Sequence, residues 1–491
     1  MLFLVKLFPE ITIKTRPVRR RFIRQLRKNI KSVLVEFDAE ISVSGEWDSI
    51  EVLSSVTDQI VLAQMSERLA CTPGIAKFLE VEKFPLPDMD GILQYALEFY
   101  ADKLTGKTFA VRCKRNGRHA FKSMDVERFV GGGLNQQTQA AGVKLVKPDV
   151  TVALEIRDDS LYVVRQERAG LGGFPLGCQD SVLSLISGGF DSSVSSYLCI
   201  KRGLQTHYCF FNLGGREHEL AVKEVALFLW MKYHSSHRVK FISVPFENVI
   251  EEILTKVDGS QMGVVLKRMM LRAAAKVADS LHIAALVTGE SVAQVSSQTL
   301  PNLAVIDSVS DGLILRPLAT ANKQEIIDIA RQIGTEEFSK DIPEYCAVIS
   351  NKPTTRARIH RIEREESRFD FSVLDDSIKN AKHQLITHVI GDLEKDKVEI
   401  EITGIVDAQS TVIDIRHPTE TEIKPLNLGS ASNGAEVLSI PFYQLRSSFD
   451  ELDRSRRYLL YCGKGMMSRL HAANLCDEGF ENVAVLDLSK S

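Results

Sequence analysis

Along the 491-residue chain the apolar positions keep two rhythms, and the changes between them mark out the elements. Alternation with a period of two predicts strands; recurrence every three or four residues predicts helices. Residues 4–7 and 11–14 read as short strands. A helix then opens at Pro17, with Phe22, Ile23, Leu26 and Ile30 on one face. Residues 33–37 and 41–43 read as a strand pair. Residues 107–115 alternate apolar with basic, which predicts a strand with one charged face, and Gly131-Gly132-Gly133 is expected to break the chain. Residues 150–156 and 161–164 form an expected hairpin through Asp158-Asp159. The rhythm then becomes strand, helix, strand. Strands are expected at 182–186, 205–211, 240–245 and 283–288, and helices from 194, 218, 267 and 323. That alternation implies a doubly wound parallel sheet with ligand at the carboxyl ends of the strands. Residues 352–397 turn charged and helical and read as a connector. Strands at 398–402, 411–415, 457–461 and 482–486, with a helix over 468–478, make a final α/β unit.

Length suggests about three domains as a prior. Hydrophobic residues at 44% and charged residues at 25% are ordinary for a soluble globular chain. No run approaches the ~18 apolar residues of a membrane span. The apolar start, Met1 to Val5, is too short for a signal-peptide core, so a cytoplasmic location is expected. The net charge is −3, yet residues 1–31 hold ten Lys or Arg against one acid, Glu10, a local balance of +9. A solvated helix face and a phosphate-binding face fit that run equally. The second basic element, around 107–118, favours RNA for both. Eight cysteines contain no CxxC pair, which excludes a zinc ribbon and a thioredoxin motif.

The chemistry concentrates in two places. Ser187-Gly188-Gly189-Phe190-Asp191-Ser192-Ser193 lies between an apolar run and a helical one. Strand, glycine turn, helix is the order that aims bare backbone N–H groups and a helix N-terminus at an anion. The spacing is not that of Walker A. Cys462 ends a strand and opens a short glycine loop that Ser468 can cap. Loop N–H groups, the helix N-terminus and Lys464 would favour a thiolate or a persulfide there. Cys346, by itself, reads as a buried structural thiol, as do Cys71, Cys113, Cys178, Cys199, Cys209 and Cys476.

The SGGFDSS run resembles the PP-loop of ATP pyrophosphatases, which split ATP at the α-phosphate. Residues 61–168, through FAVRCKRNGRHAF, resemble the THUMP domain of RNA-modifying enzymes. Residues 401–491, through VIDIRHP, the Cys462 loop and GFENVAVL, resemble a rhodanese domain. In this order, and with KLFPEITIK, FFNLGG, TGESVAQVSSQT, RPLATANKQEII and IPEYC, the chain is similar to the long form of the tRNA 4-thiouridine synthetase (ThiI) family. The resemblance implies a multidomain α+β and α/β fold: a ferredoxin-like domain (1–60), THUMP (61–168), a PP-loop adenylation domain (169–350), a helical connector (351–400) and a rhodanese domain (401–491). It implies ATP-dependent formation of 4-thiouridine at tRNA position eight by adenylation of uridine O4, with Mg²⁺ on the phosphates. A cysteine desulfurase would load sulfur on Cys462, Cys346 would later pair with it as a disulfide, and a thiol reductant would reset the pair. Asp191 would organise metal or pyrophosphate. Leu185, Ile186, Ser187, Gly188, Gly189, Ser192, Lys267, Gly289 and Gln298 would hold ATP, Gly289 by admitting the base or ribose closely. Arg20, Arg24, Arg112, Lys114, Arg115 and Arg118 would face the tRNA acceptor end. The family also passes sulfur to a ubiquitin-like carrier protein for the thiazole of thiamine. The rival readings are a PP-loop ligase with an amine nucleophile, such as an amidotransferase-type or argininosuccinate-type enzyme, and an RNA-binding protein with a vestigial nucleotide site. The sulfur-carrying domain argues against the first, and ATP consumption decides the second.

Overall fold

The computed structural model describes residues 1–45, 49–213, 215–340, 342, 353–394, 400–407, 410–416, 421, 425–426, 428, 435–463, 466–477 and 479–488. It divides into two units, residues 1–178 and 179–491. Among the described residues no helix is long and apolar enough to cross a membrane.

The first unit is built on one sheet of β1 (Leu2–Leu7), β2 (Ser42–Ser44), β3 (Ser49–Leu53), β4 (Ile75–Pro85), β5 (Thr108–Asn116), β6 (Gly142–Val143), β7 (Val150–Arg157) and β8 (Ser160–Ala169). Their order is β2-β3-β1-β4-β8-β7-β5-β6. Helix α1 (Arg16–Leu34) buries Phe22, Ile23, Leu26, Ile30, Val33 and Leu34 and leaves Arg20, Arg21, Arg24, Lys28 and Lys31 in solvent. The strand expected at 33–37 is therefore absent. Val33 and Leu34 continue the helical stripe of Leu26 and Ile30, and that stripe wins over β propensity. The strand expected at 11–14 is replaced by a helical turn, Pro9–Thr12, because proline's fixed φ suits a first helical turn.

Helix α2 (Gln59–Ala70) packs Leu62, Met65 and Leu69 into the same core as Phe3, Leu26 and Phe78. Packing thus carries the first domain past the expected boundary at residue 60 and into β4, a strand that pairs with both β1 and β8. Helices α3 (Met89–Leu104) and α4 (Ser123–Gln137) cover the other half of the sheet. The three glycines lie inside α4 and do not break the chain. A Cβ at Gly133 would stand 2.3 Å from Leu93 Cδ2, so the residue is there to let α3 and α4 approach.

The second unit holds two sheets. The first contains β9 (Ser181–Leu185), β10 (Gln205–Asn212), β11 (Lys240–Pro245), β12 (Ala285–Val287), β13 (Leu313–Leu315) and β14 (Lys382–Leu385), ordered β13-β12-β9-β10-β11-β14. All its pairings are parallel except that of β14 with β11. Helices α5 (Phe190–Lys201), α6 (Gly215–Leu229), α7 (Met262–Ser280) and α8 (Lys323–Ile333) pack on this sheet or at its ends. The connector packs on this sheet. It supplies the edge strand β14, and its Ala357, Ile362, Phe369 and Leu374 enter the core around Leu183, Ile242 and Val265. Its Glu366 also accepts from both Arg268 and Arg272 on α7. The last sheet, of β15 (Ile402–Thr403), β16 (Ser410–Asp414), β17 (Val437–Ser439), β18 (Arg457–Tyr461) and β19 (Val483–Leu486), is ordered β15-β19-β18-β16-β17 and parallel throughout. Helix α9 (Met466–Asp477) follows β18.

Candidate active site

At β9 the chain order reverses, since β10 lies on one side and β12 on the other. A crevice at such a switch point is the usual ligand position in an open α/β sheet. Here it is a cavity of about 450 Å³.

Its floor is the loop from β9 into α5. Gly188 has φ +83°, and a Cβ there would stand 2.6 Å from Ile342 Cδ1, so only glycine makes this turn without strain. Ser192 folds back. Its Oγ accepts from the Ser187 N–H at 3.1 Å and donates to Gly189 O at 3.1 Å. Ser339 Oγ donates to Gly188 O at 2.7 Å. The loop is therefore fixed before any ligand arrives. Of the nine residues expected around ATP, Leu185, Ile186, Ser187, Gly189, Ser192, Lys267, Gly289 and Gln298 line the cavity, as does Asp191. Gly188 shapes the turn from behind. Gly289 has a different reason from the one its sequence context suggests. A Cβ there would stand 2.6 Å from the Asp191 carbonyl carbon and 2.8 Å from Ser192 N, so what this glycine admits so closely is the backbone of α5.

Several lining or supporting residues were not singled out from the sequence. Asp191 is held on both oxygens, by Lys323 Nζ at 2.9 Å and by Gln294 Nε2 at 2.7 Å. Lys267 donates to Glu290 at 2.6 Å, and Glu290 also accepts from Arg316 at 2.8 Å. Both Gln294 and Glu290 lie in TGESVAQVSSQT, and Arg316 and Lys323 lie in RPLATANKQEII. The signal was a polar cluster straight after a buried strand. His218, from α6, lines the same cavity. Its Nε2 is 3.4 Å from Ser187 O, its ring stands edge-on to Phe210, and burial pulls its pKa below the ordinary histidine value. Gln294 Oε1 and Gln298 Oε1 are buried with no hydrogen-bond partner among the described residues. Buried acceptors want donors, so the cavity suits a ligand bearing N–H or O–H groups, as an adenine nucleotide does.

Burial alone would raise the Glu290 carboxyl, but Lys267 and Arg316 outweigh it and hold it below the usual carboxylate range. A depressed folded pKa means stability present above the unfolded value of about 4.3 and lost as pH falls through the folded one. Glu290→Gln would leave Lys267 without this counter-charge and Arg316 with only Asp307. We expect a loss of about 3 kcal/mol at neutral pH, measured by urea unfolding, and a narrower gap from the parent near pH 3.

In the last sheet Cys462 sits directly after β18. Its buried Sγ accepts from the Ser468 N–H at 3.3 Å and is 3.5 Å from Ser468 Oγ, at the start of α9. The helix N-terminus expected to stabilise this sulfur is thus in contact with it. Arg416 bonds Asp414 and stacks over the Tyr461 ring beside it. Cys346 and Lys464 lie outside the described residues. Burial pushes the thiols of Cys178, Cys199 and Cys209 up to about 12 and Cys113 up to about 11, so all four stay protonated at neutral pH.

In the first unit Arg20 and Arg24 are exposed on α1, and Arg112 and Lys114 are exposed on β5 with Arg118 in the turn after it. Arg112 donates to Leu145 O, and Arg115, half-buried, bonds His119 Nδ1 and Gly117 O. Arg115 therefore serves its own turn.

The chain matches the family described as "Thiamine biosynthesis protein (ThiI)" over residues 177–371, the ThiI ferredoxin-like domain over 2–78 and the THUMP domain over 87–164. It is similar to the tRNA sulfurtransferases of Pseudomonas putida, 57% identical over 485 residues, and Azotobacter vinelandii, 56% identical over 485 residues. Each alignment covers 99% of both chains. Among solved structures it resembles a 4-thiouridine synthetase in complex with RNA and ATP, with a TM-score of 0.68 and 24% identity over 78% of this chain and 99% of that one. It also resembles a Pyrococcus horikoshii protein, with a TM-score of 0.53 and 16% identity over 68% of this chain and 100% of that one. At such identities the likeness is one of fold.

Proposed function

Because the chain belongs to the tRNA sulfurtransferase family, we propose that it makes 4-thiouridine at tRNA position eight by adenylating uridine O4 and replacing that oxygen with sulfur carried on Cys462. The observation that supports this most is the cavity at the end of β9. A prefixed anion loop, a lysine and two unpartnered glutamine carbonyls converge there at the switch point of a parallel sheet. ATP would lie with its phosphates on Ser187, Gly189 and Ser192 and its base toward Leu185, Ile186 and Gln298. Lys267, now on Glu290, would turn to a phosphate as a point charge.

Mg²⁺ binds through one or two carboxylates plus phosphate oxygens, and of the two described carboxylates that line the cavity, Asp191, next to Ser192 of the anion loop, would hold it. When bound, the ion would neutralise charge building on the departing pyrophosphate. Asp191 would then have to be shared with Lys323.

The exposed arginines of the first unit would bind the tRNA acceptor end. The last parallel sheet would act as the rhodanese domain, its Cys462 loaded by a cysteine desulfurase, paired afterwards with Cys346 and reset by a thiol reductant. Delivery of sulfur to a ubiquitin-like carrier protein for thiamine thiazole would draw on the same persulfide.

Mass analysis of tRNA nucleosides after incubation with a sulfur donor tests the reading. 4-Thiouridine should form only when ATP is present, and a peptide linking 346 to 462 should appear after one turnover without reductant. Thiolation in the absence of nucleotide would overturn the adenylation mechanism. No ATP consumption with tRNA would favour an RNA-binding protein with a vestigial site.

A further inference from the structure

Asp191 is the second residue of α5, and an acid so close to a helix N-terminus has a simple alternative to reaching outward. It can turn back and accept from the N–H groups of its own first turn, where a negative charge is favoured. Those are the groups that the glycine loop and its helix would offer to a phosphate. Among the described residues the carboxylate instead accepts from two donors outside α5. Oδ2 takes Gln294 Nε2 at 2.7 Å, and Oδ1 takes Lys323 Nζ at 2.9 Å. From this we infer that Gln294 is a positioning residue: it holds the Asp191 carboxylate off the N-terminus of its own helix and so keeps the anion site open for the phosphates of ATP. The inference rests on the reading of this cavity as the place where ATP is bound and split.

The backbone is strained to bring Gln294 there. Ala293 has φ +65°, a left-handed conformation that crowds the Cβ of an L-residue and is normally left to glycine. Val292, Ala293 and Val295 are exposed, and the bend turns Gln294 inward between them to line the cavity. Hydrogen bonds hold the bend from both sides. The Val292 N–H donates to Ala319 O at 3.0 Å, Ser291 Oγ to Ala321 O at 2.7 Å, and the Ala293 N–H to Gln298 O at 2.9 Å. A carboxylate only accepts, so the amide must face it with Nε2, and this leaves Gln294 Oε1 buried without a partner among the described residues. A left-handed alanine and an unpaired carbonyl are both unfavourable. They fall on neighbouring residues because the structure needs one donor at one place.

The residue type fits the role. A neutral amide holds the carboxylate without cancelling its charge, and Lys323 already supplies one opposite charge. A glutamate at 294 would repel Asp191, and a second lysine would neutralise what a metal ion on the phosphates needs. Gln294 acts through Asp191, so its effect has a signature. Without the amide, Oδ2 is released and the carboxylate can turn to the helix N-terminus, where it competes with phosphate. Without the carboxylate there is nothing to hold, and loss of Gln294 should no longer matter. Non-additivity of this kind marks residues that act on one another and is absent for independent sites.

The test measures ATP affinity by calorimetry, without tRNA or Mg²⁺, and AMP formation in a single turnover with ATP, Mg²⁺ and unmodified tRNA. It compares the parent, Gln294→Ala, Asp191→Ala and the double variant. Gln294→Met is added because it keeps the length of the side chain and removes the unpaired carbonyl, so it should fold at least as well as the parent. Gln294→Ala and Gln294→Met should each weaken ATP binding by about fivefold and slow AMP formation by about tenfold. In the Asp191→Ala background the loss of Gln294 should change either quantity by less than about twofold. Affinity and rate within about twofold of the parent in both single variants overturn the inference. So does an equal loss with and without Asp191, which would make Gln294 a structural residue or a ligand contact in its own right. If the parent binds ATP but forms no AMP with tRNA, it is the adenylation reading that fails, a separate and recognisable result.

Discussion

Replacing Cys462 with serine should reduce 4-thiouridine to background while tRNA-dependent release of pyrophosphate continues at close to the parent rate. A serine oxygen cannot carry a sulfane atom, so the variant has nothing to hand over. The fold should tolerate the change. Cys462 is almost fully buried beside Ser468, and a hydroxyl can accept from the Ser468 N–H as the thiol does now. None of the described residues lining the cavity at the end of β9 belongs to the last sheet, so an ATP step there would have no direct dependence on this sulfur. Nucleoside mass analysis and a pyrophosphate assay on the same sample separate the two outcomes. Normal thiolation would remove Cys462 from the mechanism.

Asp191→Ala should cut AMP formation by about 10²–10³-fold at saturating ATP, with little change in melting temperature. The carboxylate is only half-buried and stands at the first turn of α5, where Lys323 and Gln294 converge on it. Removing it frees both partners and deletes the lining carboxylate beside the loop that would hold pyrophosphate. Asp191→Asn keeps the shape and discards the charge. It should fall almost as far, because the proposed Mg²⁺ on the departing pyrophosphate would need a charged carboxylate and not an amide. AMP formation unchanged in either variant would end this assignment.

Strand-rich stretches with a single rhythm were read correctly from the sequence. The hairpin of β7 and β8 and the βα alternation from β9 to α8 both follow from periodicity and turn residues. Where the reading failed, packing overrode composition. Residues 33–37 and Gly131 to Gly133 look like a strand and a break by composition, yet Val33 and Leu34 end α1, residues 35–37 form the turn after it, and the three glycines lie within α4. In the first case the core continues a helical stripe, and in the second Leu93 needs the space.

The sequence by itself determined the anion loop, the cysteine at the head of a helix and the order of the sheets, because each is a local pattern of backbone freedom and apolar period. Tertiary structure decided the electrostatics. That Asp191 meets Lys323, that Glu290 gathers Lys267 and Arg316, and that His218 reaches the loop from another helix depends on segments between 23 and 132 residues apart being brought together. No local rule encodes such distances, since charge pairing is set by where the strands end and not by what stands next in the chain.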